Sequence, residues 1–106
     1  MLTISLICNL GMSTSMLIDK MTAYAKTKGI EADIDALPFN NLDLRIDKTD
    51  ILLIGPQVRH MQKRLTEQYG EKIPVIQVMN MSDYGLLRVD KIFDAAYGEY
   101  KQKTDQ

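Results

Sequence analysis

The chain has 106 residues, of which 45% are hydrophobic, and its 13 basic and 14 acidic side chains leave a net charge of −1. This length allows one domain with a buried core and is too short for two, so we expect a single domain over 1–106. The near balance of charge argues against nucleic acid or an anionic membrane as a partner.

The cysteine content and the distribution of apolar residues narrow the class further. Cys8 is the only cysteine, so no internal disulfide can form, and no run approaches the roughly 20 apolar residues that cross a bilayer. The N-terminus lacks the basic region and cleavage site of a signal peptide, which together with the lone cysteine indicates the cytoplasm. With one histidine and no second cysteine, no zinc-type ligand spacing is present, and we expect neither a metal nor another cofactor.

The first half of the chain predicts a strand, a helix and a second strand. The apolar segment 2–8 has the length and β-branched content of a strand, and the segment after it repeats apolar residues at helical spacing. Gly29 stands where a helix C-cap is expected. The segment 30–37 alternates apolar with acidic residues, which predicts a half-exposed strand at a sheet edge. Pro38 and the Asn40-Asn41 pair break this pattern, and the segment 42–46 then predicts a short helix or an irregular loop.

The second half of the chain predicts strands at 50–54 and 74–79. The first of these is continuously apolar, as expected for a strand that is covered on both faces. The Gly55-Pro56 pair ends that strand and begins a helix, because proline suits the first turn, and Gly70 closes the helix.

The remaining elements complete a parallel α/β fold. A turn at 82–85 precedes a helix over 89–100, and the polar segment 101–106 predicts a frayed tail. Alternating strands and helices indicate a parallel sheet with helices on both faces. The half-polar second strand belongs at an edge and the apolar first and third strands inside, which gives the order 2-1-3-4. The chain then changes direction after the first strand, so the ligand crevice lies at its carboxyl end, where Cys8 is.

Cys8 opens a loop that is rich in glycine and hydroxyl side chains. The unpaired N–H groups of the following helix and the positive end of its dipole suit an anion. Gly11 allows close approach of the backbone to a ligand, and Ser13, Thr14 and Ser15 either cap the helix or donate to phosphate oxygens. The same field favours thiolate over thiol, which makes Cys8 a candidate nucleophile. A buried, inert cysteine is the alternative interpretation.

A second loop is expected to face Cys8. Gly55, Pro56 and Gln57 end the third strand, which neighbours the first in the predicted order. His60 follows one turn later and is the only histidine. We consider His60 a candidate for a supporting role beside this loop. In the simpler interpretation the loop is an ordinary turn and the histidine only occupies a surface position.

The segments CNLGMSTSMLIDKM over 8–21 and GPQVRHM over 55–61 resemble the lactose/cellobiose (chitobiose) family of IIB components of the bacterial sugar phosphotransferase system. The resemblance covers nearly the whole chain. It implies that Cys8 accepts a phosphoryl group from a phosphohistidine of the IIA component and transfers it to a sugar, typically a β-linked disaccharide, on the membrane IIC component.

The resemblance also assigns roles by position. It places around the phosphoryl group the residues Asn9, Leu10, Gly11, Met12, Ser13, Thr14 and Ser15. It gives 55–57 a supporting role beside the site, and it implies a cytoplasmic protein that reaches the inner face of the membrane through IIC without inserting. We expect a monomer, with Met12, Arg59 and Tyr84 as candidates for partner contact.

Two alternatives share the predicted architecture. The fold also resembles that of low-molecular-weight tyrosine phosphatases, whose nucleophilic cysteine likewise follows the first strand. Such hydrolases need an arginine six residues after the cysteine and an aspartic acid as proton donor. Thr14 stands at the arginine position and the chain has no Asp-Pro pair, so hydrolysis is disfavoured. The second alternative is a flavodoxin-like domain that binds a nucleotide or flavin while Cys8 stays inert.

Overall fold

A computed structural model describes residues 1–8, 12–37 and 43–104, with only the backbone for residues 12, 13, 43 and 44. Its four strands form one parallel sheet in the order β2-β1-β3-β4, which confirms the predicted order. The strands are β1 (Leu2–Ile7), β2 (Ala32–Ala36), β3 (Ile51–Ile54) and β4 (Val75–Val78). The helices are α1 (Met12–Thr27), α2 (Asp43–Ile46), a 3₁₀ helix (Pro56–Met61), α3 (Gln62–Tyr69), α4 (Met81–Gly85) and α5 (Val89–Thr104).

Both faces of the sheet are covered, as predicted. On one face the apolar sides of α1 and α5 pack on alternate residues of β1, with Leu17, Met21 and Phe93 buried there. On the other face Leu65 of α3 packs with Ile7 and other strand residues in a second buried cluster. Because β1 and β3 are buried on both sides, the carboxyl ends of these two strands are held rigidly side by side.

The edge strand β2 exposes acidic side chains and is tied to the sheet by an arginine. Asp33 and Asp35 are exposed while Ile34 between them is buried, which confirms the predicted half-exposed edge. Arg45 of α2 donates from Nε to Ser5 Oγ at 3.0 Å, and its Nη1 lies 3.5 Å from Asp33 Oδ2. Pro38 and the predicted break after β2 lie outside the described residues.

Two segments depart from the prediction. Pro56 begins a 3₁₀ helix rather than the regular helix, because Val58 has φ −123° and ψ 27° and its N–H donates to the Gly55 carbonyl at 3.0 Å. The α-helix starts only at Gln62. The predicted turn at 82–85 is instead part of α4, since Asn80 Oδ1 accepts a hydrogen bond from the N–H of Asp83 at 3.0 Å and caps this helix.

The helix ends show how the chain leaves each layer. Gly29 has φ +72°, the left-handed conformation expected of a glycine after a helix, which confirms the predicted C-cap. Gly70 ends α3 with a right-handed φ of −60°. The last helix continues to Thr104, within the segment 101–106 for which we predict a frayed tail, and residues 105–106 lie outside the described part of the chain. None of the described helices is long and apolar enough to cross a membrane.

Candidate functional site

Cys8 lies directly after β1, at the edge of the sheet where the chain changes direction. The register pairs Ile7 with Ile54, and the N–H of Gly55 donates to the Ile7 carbonyl at 2.6 Å. These contacts fix the end of β1, and with it Cys8, beside the end of β3. The side chain of Cys8 is 1% exposed, so a group on another molecule reaches its sulfur only after a local rearrangement.

Thr14 lies against Cys8 from the first turn of α1. Its Oγ1 is 3.3 Å from Cys8 Sγ, and its side chain is 4% exposed. Either atom of this pair can act as the donor. A buried hydroxyl beside a buried sulfur can donate to that sulfur when it carries negative charge, which makes Thr14 a partner of the thiol rather than a helix cap.

The rest of the predicted loop is only partly described. Asn9, Leu10 and Gly11 lie outside the described residues, and of Met12 and Ser13 only the helical backbone is described. Ser15 is exposed. The described part of the loop therefore places one hydroxyl, that of Thr14, at the sulfur.

Gly55 approaches Cys8 more closely than any residue with a side chain could. A Cβ built on Gly55 would lie 2.7 Å from Cys8 Cβ and 2.8 Å from Gln57 Oε1. Ordinary carbon–carbon contacts are about 3.5–4.0 Å. The absence of a side chain at residue 55 thus lets β3 and its following loop pack against the cysteine, and Cys8 Cβ and Gln57 Oε1 both lie close to the point that a Gly55 Cβ would occupy.

A cavity of about 590 Å³ opens beside this contact, and we call it the rim pocket. The 3₁₀ helix and α4 form its walls, because they follow the carboxyl ends of the neighbouring strands β3 and β4. The residues that line it are Pro56, Gln57, Arg59, His60, Met81, Tyr84 and Gly85. Gln57 belongs to this wall, and its Oε1 lies beside Gly55, which packs against Cys8.

Met81 and Gly85 line the pocket although no sequence pattern predicts them as site residues. The available signal was positional, since the segment after β4 must emerge at the same sheet edge as Cys8. Among the predicted residues, Pro56 is buried, whereas Gln57 and His60 are exposed at the pocket. The structure therefore brings Cys8, Thr14, Gly55 and Gln57 together.

The carboxyl groups whose pKa is lowered lie on α5 rather than beside Cys8. A hydrogen bond from Lys28 lowers the pKa of Asp94, and one from Lys103 lowers the pKa of Glu99. The Lys28–Asp94 pair joins the end of α1 to α5, and the Lys103–Glu99 pair lies within α5. Glu99 also accepts a hydrogen bond from Gln77 of β4, which joins α5 to the sheet. In the described residues no group of three or more histidine, cysteine or acidic side chains could hold a metal ion.

Comparison with known proteins gives this geometry a context. Residues 3–95 match the family model "PTS system, Lactose/Cellobiose specific IIB subunit". The galactose-specific EIIB component of Lactococcus lactis subsp. cremoris is 36% identical over an alignment of 98 residues that covers 88% of this chain and 91% of the relative. The oligo-beta-mannoside-specific EIIB component of Bacillus subtilis is 34% identical over 93 residues, 88% and 90% of the two chains.

A solved structure shows the same fold. The cellobiose-specific phosphotransferase IIB component of Borrelia burgdorferi superimposes with a TM-score of 0.76 at 37% identity, over 96% of this chain and 94% of the other. The family match and these relatives confirm the resemblance seen in the sequence. The chain belongs to the lactose/cellobiose-specific IIB family of the sugar phosphotransferase system and is a phosphotransferase component that carries a phosphoryl group in sugar uptake.

Proposed function

We propose that Cys8 is the residue that carries the phosphoryl group. Its sulfur attacks the phosphorus of a phosphohistidine on the IIA component, so that a P–S bond forms, the P–N bond breaks and the thiol proton passes to the leaving imidazole. In the second transfer a sugar hydroxyl oxygen attacks the same phosphorus, the P–S bond breaks and the hydroxyl proton returns to the thiolate. The observation that carries the proposal is the Cys8–Thr14 contact at the carboxyl end of β1 in a chain of this family.

Thr14 and the neighbouring loop stabilise the charge that these transfers develop. The Thr14 hydroxyl donates to the sulfur as it becomes a thiolate. The backbone N–H groups of 9–15 bind the phosphoryl oxygens, since phosphoryl transfer depends mainly on positioning and charge stabilisation. Gln57 supports the site from the second loop with its amide, and His60 has a supporting role at the pocket wall.

The family to which the chain belongs supports the following partners and location. The chain acts as one domain over 1–106, a monomer between encounters, and cycles between a cytoplasmic IIA donor and a IIC acceptor at the inner face of the membrane. The sugar is a β-linked disaccharide. The relatives' names differ in sugar, from galactose to cellobiose and oligo-beta-mannoside, which agrees with a sugar that is bound by IIC rather than by this chain.

Mass spectrometry of the intact protein tests the carrier role. After incubation with phosphorylated IIA, the wild type should gain the mass of one phosphoryl group and Cys8→Ser should gain none. Thr104→Ala, which removes an exposed hydroxyl at the end of α5, serves as the matched control and should be labelled normally. Full labelling of Cys8→Ser would show that another residue is the acceptor.

Two further measurements separate the proposal from its alternatives. Membrane vesicles that contain the IIC partner of this chain, supplied with labelled protein, should phosphorylate a β-linked disaccharide in preference to galactose, and the opposite preference would correct the sugar. The isolated protein should not hydrolyse an aryl phosphate, since Thr14 replaces the arginine that a phosphatase needs. Rapid, Cys8-dependent hydrolysis would favour the phosphatase instead.

A further inference from the structure

Charge is unevenly distributed around the rim pocket. The sequence from residue 51 to residue 66 contains no acidic side chain, yet the chain as a whole carries a net charge of −1. Within that span lie three exposed cationic side chains and the exposed histidine, which together we call the basic rim: Arg59, His60, Lys63 and Arg64. The first two line the rim pocket, and the other two follow one turn later at the start of α3.

The cations of the basic rim are not neutralised within the part of the fold that is described. Arg59, Lys63 and Arg64 make no salt bridge with any described residue. Lys26, Lys48 and Lys91 are likewise without a described salt bridge, but they lie singly on different parts of the fold, whereas the rim cations are clustered. The acidic side chain on the opposite wall, Asp83 of α4, is itself paired with Arg88 at 3.6 Å. The rim therefore presents unpaired positive charge at the edge of the pocket.

Apolar side chains lie next to this charge. Met81 is 62% exposed and Leu86 is 63% exposed, although both belong to residue types that are usually buried. Tyr84, between them in α4, lines the pocket and is half-buried. An apolar patch bordered by charge is typical of protein–protein interfaces, in which apolar contacts stabilise the complex and charge selects the partner.

We infer that the basic rim and the apolar patch of α4 form the docking surface for an acidic face of the phosphoryl donor, the IIA component. This inference rests on the proposed function. The surface adjoins Cys8 through Gly55, which packs against the cysteine and directly precedes Pro56 of the pocket wall, so a protein seated on it holds its phosphoryl group close to the sulfur. Opposite charge on the two proteins steers their encounter and sets their orientation.

The acceptor and the lipid surface fit the rim less well. Cytoplasmic loops of membrane proteins are enriched in lysine and arginine, which the basic rim repels, so the rim favours the donor over IIC. A protein with net charge −1 gains little from an anionic bilayer once its remaining acidic side chains come near that surface.

The test measures how the initial rate of Cys8 phosphorylation depends on the concentration of phosphorylated IIA. The triple variant Arg59→Gln/Lys63→Gln/Arg64→Gln should raise KM for the donor roughly tenfold while kcat changes less than twofold, because steering acts on encounter. Added salt should raise KM for the wild type and much less for the variant. The matched control Lys26→Gln/Lys48→Gln/Lys91→Gln removes the same charge from other exposed sites and should keep the wild-type KM.

The other outcomes of this experiment separate the docking surface from the carrier role. A labelled wild type with an unchanged KM in the triple variant overturns the docking surface and leaves the carrier role intact, whereas an unlabelled wild type overturns both. The surface serves another partner if the triple variant loses only binding to phosphatidylglycerol vesicles, or only transfer to IIC vesicles, and either result overturns the inference. Should the triple variant fold poorly by circular dichroism, Arg59→Gln alone should raise KM in the same direction.

Discussion

The contact between Gly55 and Cys8 makes a sharp prediction for Gly55→Ala. The added Cβ would lie 2.7 Å from Cys8 Cβ and 3.2 Å from Cys8 Cα, about 1 Å inside an ordinary contact for the closer pair. Gln57 is exposed and can turn its amide away, but Cys8 cannot retreat freely because the N–H of Gly55 is bonded to the Ile7 carbonyl at 2.6 Å. We therefore expect the strand ends to separate and the sulfur to shift.

The expected magnitudes follow from overpacking and from misplacement. Forcing a methyl group into a packed site costs about 1–3 kcal/mol of unfolding free energy. A displacement of about 1 Å at a reacting group lowers a rate roughly 100-fold. Phosphorylation of Cys8 by the IIA donor, followed by mass, should thus fall far more than the fraction of folded protein does.

Urea unfolding and the phosphorylation rate are measured together on Gly55→Ala and on a control. Gly98→Ala is the matched control, because Gly98 lies inside α5 with nothing within 4 Å of the added Cβ. The control should gain about 0.5–1 kcal/mol of stability, as alanine does over glycine in a helix, and keep the full rate. A Gly55→Ala protein with wild-type stability and wild-type rate would refute the packing argument.

Substitutions at three other sites test separate features. Thr14→Val should slow phosphorylation of Cys8 about 10- to 100-fold while Thr14→Ser stays within a few-fold, because only serine keeps a hydroxyl at the sulfur; equal rates would refute the role of that hydroxyl. Gly29→Ala should lower the unfolding free energy by about 1 kcal/mol in urea titrations, and Gly29→Asn by less, since asparagine tolerates φ +72° better. Asp94→Asn should cost about 0.5 kcal/mol at pH 7, because the hydrogen bond from Lys28 lowers the carboxyl pKa below 3.8. That stability is present above the ordinary pKa and is lost as the pH falls through the lowered one, so the two proteins should unfold alike at pH 2; a constant difference would contradict the assignment.

The order of the sheet was predictable because the burial pattern shows which strands lie inside the sheet and which one lies at an edge. The continuous apolar run of β3 and the alternation in β2 decide which strand is covered on both faces and which lies at an edge, and the structure has them so. The position of Cys8 at the change of direction follows from that order. Local periodicity and topology were therefore sufficient for the fold and for the place of the candidate site.

The detailed shape of the second loop was beyond the sequence pattern. The spacing of Val58, Met61 and Leu65 suits a regular helix from Pro56, but the buried Val58 leaves helical geometry and the α-helix starts later. The Asn80 cap likewise turns a predicted bend into α4 and carries Met81 to the pocket wall. The Asn80 cap is a bond between residues three apart, so its signal was present in the sequence, whereas the bend at Val58 accompanies the packing of that side chain on other elements, which a single sequence does not display.

The separation of charge from the sulfur is consistent with a carrier rather than a hydrolase. A phosphatase places an arginine in the loop itself, where it grips the phosphoryl dianion throughout the reaction. Here the residue at that position is Thr14, a buried neutral hydroxyl, and the arginine beside the site, Arg59, lies on the opposite loop at the pocket rim. A hydroxyl can support the sulfur in both transfers without binding the phosphoryl group so tightly that it cannot leave. In the docking that we propose, positive charge at the rim acts instead on the approaching donor protein, while the neutral residue at position 14 leaves the phosphoryl group free to be transferred.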